Sequence, residues 1–396
     1  MPSPKTPESQ VGAGKQPTVQ KRIFELDVLR GVAILLVMGV HVPASGIHAA
    51  ITSGYPFWTR SGWMGVDLFF VLSGFLISNL LFSEYRASGT IRLPRFFFRR
   101  ALKLYPSFYL MLAVTLVGAA VLGAGFGTRQ VIGELVMNQN YLGSIWDHTW
   151  SLAVEEHFYL LLPLALAVMM RARGSNPFRA IPYVAIAVAI LCLGLRVWVV
   201  ETHTVYDHRL SHLRFDSLFA GVLLGYAHNF RPEVLRRMMD APWRFPIAMM
   251  GVLCLAPGVI LGVDDARLYT VGLSLLYIGF GVLLLMAMYP EQGRTRRTPG
   301  LAARAVASMG SCSYTIYLWN VPASFLVTAL AGAWPRVSPY LFHPLYFAAS
   351  IGIGVLLSKL IERPVLRMRD RLWQFSEREW GNDDRWVPYR HRGSIL

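Results

Sequence analysis

Charge is scarce in this chain. Asp, Glu, Lys and Arg make up 15% of its 396 residues, where roughly 25% is ordinary for a soluble domain. With 54% of residues hydrophobic and a mean hydropathy of +0.42, the shortage excludes an ordinary soluble enzyme and indicates an integral membrane protein. Acid is the scarcer sign, 23 Asp and Glu against 38 Lys and Arg. The resulting pI near 10.0 would suit a nucleic-acid binder, but the basic residues fall in short clusters between apolar runs, not along one face or tail, so no nucleic-acid partner is expected. Cysteine is nearly absent. Cys192, Cys254 and Cys312 each sit in an apolar run without CxxC spacing or a histidine partner, which speaks against a disulfide framework or a metal site. The first residues also lack an apolar stretch ahead of a cleavage site, and 1–21 are expected to form a disordered cytoplasmic tail.

What remains is long apolar runs. A hydrocarbon core takes roughly 20 apolar residues as helix, and ten runs meet that measure, at 24–43, 63–83, 97–123, 151–170, 180–200, 213–229, 244–262, 267–289, 309–331 and 340–361. Alternate connections are basic, from Lys15, Lys21 and Arg22 to Arg363, Arg367, Arg369 and Arg371, while the others hold little beyond Arg60, Arg129, Arg209, Arg267 and Arg336. The positive-inside rule then puts both termini in the cytoplasm, consistent with an even number of spans. The expected fold is an all-α polytopic membrane bundle of about ten helices over 22–370, with a polar cytoplasmic tail at 371–396. The bacterial inner membrane is the expected location. The long outer connections 44–62 and 124–150 are expected to lie re-entrant or to cap a cavity.

Ionisable side chains inside lipid are expensive and mark pairs, cavities or substrate paths. By this topology Arg30 sits near the inner end of the first span and His41 near its outer end, eleven residues on. That is roughly 16 Å along one side of the helix. Asp67, Glu155, Glu156, Arg214 and Asp216 join His41 in an outer layer; Arg99, Arg100, Lys103 and Glu362 join Arg30 in an inner one. Plainer readings exist for each. His41 could be an interfacial histidine, the 92–103 cluster a positive-inside anchor, Asp67 and Asp216 structural partners of Arg214, and Ser73, Gly221 and Gly225 small packing residues. The sorting into two layers favours function.

The motifs resemble those of the acyltransferase 3 family of membrane O-acyltransferases. Arg30 and His41 after "LDVLRG" look like its Arg/Lys-to-His signature, and "GVDLFFVLSGFLIS", "FFFRRALKLYPSFY", "TWSLAVEEHFYLLLP", "RFDSLFAGVLLG", "SYTIYLWN" and "IERP" look like its later blocks in order. Asn320 departs from the pattern, standing where such segments often carry His. The resemblance implies acyl transfer, often of acetyl, from cytoplasmic acyl-CoA as co-substrate to a hydroxyl of a sugar, surface polysaccharide, lipid-linked glycan or natural product, with importance for Arg30 and His41.

Such chemistry needs a base for the hydroxyl proton, or a nucleophile to carry the acyl group, and a stabilised oxyanion. His41 suits either role, with Glu155 as its expected partner and Glu156 and Asp67 as further acids. Arg30, Arg99, Arg100 and Lys103 would attract the donor's phosphates. Trp150, Tyr159, Arg214, Asp216 and Tyr314 are expected around the acceptor. No tightly bound cofactor and no metal are expected. The competing class is a proton-coupled transporter, with His41, Asp67 and Glu155 as its proton path.

Overall fold

Apolar segments can satisfy their backbone groups in lipid only as helices or closed barrels, and the computed structural model is helical, with no strand among the described residues. These residues are 23–42, 56–172, 176–202, 207–263, 265–290, 298–333 and 341–379. The expected tail at 1–21, residues 44–55 of the first outer connection, Arg294, Arg296, Arg297 and Arg336, and 380–396 lie outside them.

The elements in chain order are α1 (Phe24–Val40), α2 (Pro56–Ser61), α3 (Met64–Ser88), α4 (Leu93–Val121), α5 (Thr128–Leu135), α6 (Gln139–Leu142) and α7 (Trp150–Met169), which follows a single turn at Asp147–Thr149. Next come α8 (Ile181–Thr202), α9 (Phe215–Phe230), α10 (Pro232–Met239), α11 (Arg244–Ile260) and α12 (Leu273–Met288). The chain closes with α13 (Leu301–Ser311), α14 (Ser313–Ala333), α15 (Phe342–Leu357) and α16 (Arg363–Glu379). The last of these is helical well past residue 371, where a polar tail was expected.

A helix stands at each of the ten expected spans. Among the described residues seven are long and apolar enough to cross a membrane, or eight if α10 and α11, bent by 91° at their junction, form one span. The shortfall lies in α1 and α11, of 17 residues each, and α9, of 16. At ~1.5 Å per residue such helices run about 24–26 Å, short of a ~30 Å hydrocarbon core.

Small residues set how the helices approach one another. A Cβ at Gly74 of α3 would collide with the Leu218 carbonyl of α9, one at Gly221 with the Val71 carbonyl, and one at Gly225 with the Ser78 hydroxyl. This close seam puts α3 at the centre of the bundle, with 78% of its apolar window buried against 17% for α8. Gly31 and Gly310 bring α1 and α13 together in the same way.

The connection from α4 to α7 folds back as a cap. Glu134, fully buried, accepts hydrogen bonds from the Ile145 N–H (3.0 Å), the Trp146 N–H (3.3 Å) and the Thr149 hydroxyl (3.0 Å). Gln139 donates to the Thr149 carbonyl at 2.8 Å, and Asn140 to the Ser211 hydroxyl at 2.8 Å. These bonds fix Asp147, His148 and Thr149 at the head of α7. Burial nonetheless pushes the Glu134 carboxyl above its usual range, against the pull of its donors. Between α5 and α6, Met137 turns inward with φ 55°, in the left-handed region that non-glycine residues seldom occupy.

Candidate active site

His41 closes the last turn of α1, and its Nδ1 lies 3.0 Å from the Val37 carbonyl oxygen. A carbonyl only accepts, so Nδ1 carries the proton and Nε2 keeps the lone pair. The ring meets His148 edge-on, with centres 6.0 Å apart and planes at 67°. His148 is held by the same device: its Nε2 lies 3.2 Å from the Leu318 carbonyl, which places the proton there, while its buried Nδ1 has no hydrogen-bond partner among the described residues.

Tyr317 completes the support. Its hydroxyl donates to the His148 carbonyl at 2.7 Å and lies 2.6 Å from the Ser151 hydroxyl. Because the phenol has one proton and gives it to His148, Ser151 must donate to it. Asn320, fully buried one turn further along α14, donates to the Tyr317 carbonyl at 2.5 Å and faces His41. The Asp147 carboxylate, paired with Arg209, also lies within electrostatic reach of His41.

Glu155 is not among these groups. It accepts from the Ser73 hydroxyl at 2.8 Å and the Tyr159 hydroxyl at 2.7 Å, and Arg100 approaches it to 3.9 Å. None of its described partners is His41, so the expected His41–Glu155 pair does not form here. The Arg100 guanidinium lies over the Tyr159 ring at 3.7 Å. Glu156 accepts from Tyr105 at 3.2 Å. Residues of the two expected layers therefore meet: Arg100, seven residues into α4, lies beside Glu155, five residues into α7. Leu104, Met137, Leu152, Glu155, Glu156 and Tyr314 line a crevice beside them that is too narrow to admit a water-sized group.

Asp67 and Asp216 lie in a different environment. Asp67 pairs with Arg214 at 2.6 Å, with the Ser217 hydroxyl at 3.4 Å, and Asp216 pairs with Arg196 at 2.7 Å. All four side chains are almost completely buried. Arg196 also donates to the Leu213 carbonyl and the Ser274 hydroxyl, both at 2.8 Å. These pairs tie α3, α8, α9 and α12 together, and neither aspartate shares a partner with His41. The Arg214 guanidinium lies 5.8 Å from the Trp150 ring, which meets His208 edge-on. Burial, reinforced by Arg214 and Arg209, holds the His208 imidazole down to about 3.

The cations also divide. Lys103 shares an electrostatic neighbourhood with Arg30, Arg100, Glu362 and Arg369, and Arg30 lies 3.9 Å from Asp27. Arg99 turns to the other side of α4, where it joins Arg92 and Arg95 around Glu84. Adjacent residues on a helix differ by ~100°, so Arg99 and Arg100 cannot serve one face. Among the described residues no cluster of His, Cys, Asp or Glu could hold a metal ion.

Sequence reasoning missed His148, Tyr317 and Arg196. His148 had a signal, a histidine in the aromatic "DHTW" at the head of a span, and Arg196 a stronger one, a lone cation within the 22 residues of α8. Tyr317 had none, since its role depends on which helix α14 meets.

Residues 23–359 match the family described as acyltransferase domain. O-acetyltransferase OatA of Staphylococcus aureus (strain NCTC 8325 / PS 47) is 25% identical over 388 residues, covering 91% of this chain and 60% of OatA. OatA of strain MRSA252 is 26% identical over 328 residues, 77% of this chain and 51% of that protein. The chain thus spans 60% or less of the length of these relatives. No solved structure matches it.

Proposed function

Because the chain belongs to the acyltransferase domain family, we propose that it is a membrane O-acyltransferase that moves an acyl group, acetyl by default, from acyl-CoA to a sugar hydroxyl. A cell-surface polysaccharide or lipid-linked glycan is the acceptor we favour, and a small natural-product sugar is the alternative. The observation that carries the reading is the 3.0 Å approach of His41 Nδ1 to the Val37 carbonyl. With Nδ1–H committed to the Val37 carbonyl, Nε2 is left as a base.

In this mechanism His41 Nε2 takes the hydroxyl proton as the alkoxide oxygen attacks the thioester carbonyl. The tetrahedral intermediate collapses with a new C–O bond and loss of the C–S bond. The departing thiolate takes the proton from the imidazolium, so no net proton is consumed. Arg30, Lys103 and Arg100 would hold the donor's phosphates near the inner end of the bundle. Ten spans with both termini in the cytoplasm, in a bacterial inner membrane, would put those cations on the side where acyl-CoA is found. The helices at the ten expected positions support that count.

The test follows free-CoA release and glycan acetyl content in membranes containing the wild type, His41→Ala or Arg30→Ala at matched abundance. Loss of the base should reduce transfer by about 10²–10⁴-fold, and Arg30→Ala should raise the KM for acyl-CoA. Undiminished transfer by His41→Ala overturns the proposal.

A further inference from the structure

We propose that the corner between α10 and α11 is a binding surface for an anionic phospholipid, with Arg236 and Arg237 taking the phosphate and the outward stripe of α11 taking an acyl chain. The two helices meet at 91°. Glu233, Arg236 and Arg237 put three charges into the eight residues of α10, too many for a helix that continues a span through lipid. With α11 running into the bilayer, α10 lies along its surface, and the basic connection to which it belongs puts that surface on the cytoplasmic side.

At ~100° per residue α10 divides into three flanks. Leu235 and Met239 are buried with Leu285 of α12. Val234 and Met238 fall on one exposed flank, and Glu233, Arg236 and Arg237 on the other. A buried anchor between an apolar flank and a basic one suits a helix in the plane of the interface. Glu233 stands one turn before both arginines, yet neither has an ion pair among the described residues. Arg86, near the end of α3, joins Arg236 in the electrostatic neighbourhood of His228, so cations from two helices converge here. The corner is also fixed in place: Arg244 donates to the Tyr289 carbonyl at 2.6 Å, and the Tyr289 hydroxyl lies 2.8 Å from His228 Nδ1.

The apolar half of the surface begins at the same point. Trp243 and Phe245 are 63% and 73% exposed, and Met249 and Leu253 continue the exposure along α11. Phe245, Met249 and Leu253 recur every four residues and so form one stripe. A tryptophan beside arginines marks headgroup level, and the stripe below it offers an acyl chain a path. Charge complementarity selects the headgroup: Arg231, Arg236, Arg237 and Arg244 outnumber Glu233 and Asp240, and a zwitterionic lipid would bring a further cation beside them.

The full chain in neutral detergent, titrated with phosphatidylglycerol or phosphatidylcholine and followed by native mass spectrometry, tests this. The wild type should retain phosphatidylglycerol with about a tenfold lower Kd than phosphatidylcholine, as two arginines at an anionic lipid support. Arg236→Gln with Arg237→Gln should lose that preference. Arg171→Gln with Arg179→Gln, the same charge change at exposed positions between α7 and α8, should keep it. Equal wild-type binding of the two lipids overturns the proposal and needs no variant to fold. Equal loss in both double variants overturns it too, since any basic residue would then serve. Displacement of phosphatidylglycerol by an equimolar amount of glycerol 3-phosphate would mean a site for free phosphate and not for a lipid.

Discussion

His41 and His148 stand edge to face, 6.0 Å between ring centres, and each turns its proton toward a backbone carbonyl, Val37 for one and Leu318 for the other. Both lone pairs are thereby defined by the main chain and need no carboxylate to hold the tautomer. His148→Phe keeps the aromatic volume but loses the bond to Leu318. We expect at least a tenfold fall in transfer rate with the KM for acyl-CoA within twofold of wild type. An unchanged rate would show that His148 does not position His41.

The Arg196–Asp216 pair makes a stability prediction. Removing one partner of a buried pair leaves a bare charge and costs about 3–5 kcal/mol, whereas replacing both by apolar groups is often close to neutral. Arg196→Met should therefore lower the melting temperature in detergent sharply, and Arg196→Met with Asp216→Leu should recover much of the loss. Additive losses in the double variant would mean that the pair is not coupled.

His208 supplies the pH dependence. Its folded pKa, held down to about 3, lies below the ~6.5 of an unfolded histidine. The unfolded chain thus binds the extra proton, and stability present above pH 6.5 declines as pH falls toward 3. Melting temperatures from pH 7.5 down to 4.5 should fall less steeply for His208→Gln than for the wild type. Parallel slopes would exclude His208 as the source.

The α3–α9 seam predicts a packing defect. Gly221→Val would press a branched side chain into the Val71 carbonyl and the Phe75 backbone, and overpacking of this kind costs about 1–3 kcal/mol. The variant should express at lower levels and melt earlier. Gly118→Val, where a Cβ meets nothing within 4 Å, should match the wild type. Equal stability of the two would mean that the helices can part without cost.

Much of the helical organisation was legible because lipid leaves the backbone little choice: a run of ~20 apolar residues must form helix. The glycines of the α3–α9 seam were legible for a related reason, since small residues mark close approach between helices. The length of each span was less so. The first span was expected to run to residue 43, yet α1 stops at Val40, while α9 begins at Phe215, two residues after the expected 213.

The site was legible in parts. An arginine and a histidine on one helix, and carboxylates in apolar runs, stand out because charge in lipid is costly. Their pairing did not follow. Assigning residues to an inner or outer layer from connection charge treats each helix as a ruler, but Arg100 and Glu155, assigned to opposite layers, approach to 3.9 Å. Asp67 was expected as a further acid in the layer of His41, with a structural pair to Arg214 as the plainer reading, and it is the pair that stands.

The sequence by itself determined that the chain is a helical membrane protein with charges at particular heights, because hydropathy and helical rise act locally. Only the tertiary structure decided that His41 faces His148 and Asn320 and not Glu155, that Arg99 and Arg100 serve different faces, and that Arg196 secures Asp216. Those outcomes depend on the rotation and depth at which helices pack, and packing is set jointly by residues hundreds of positions apart.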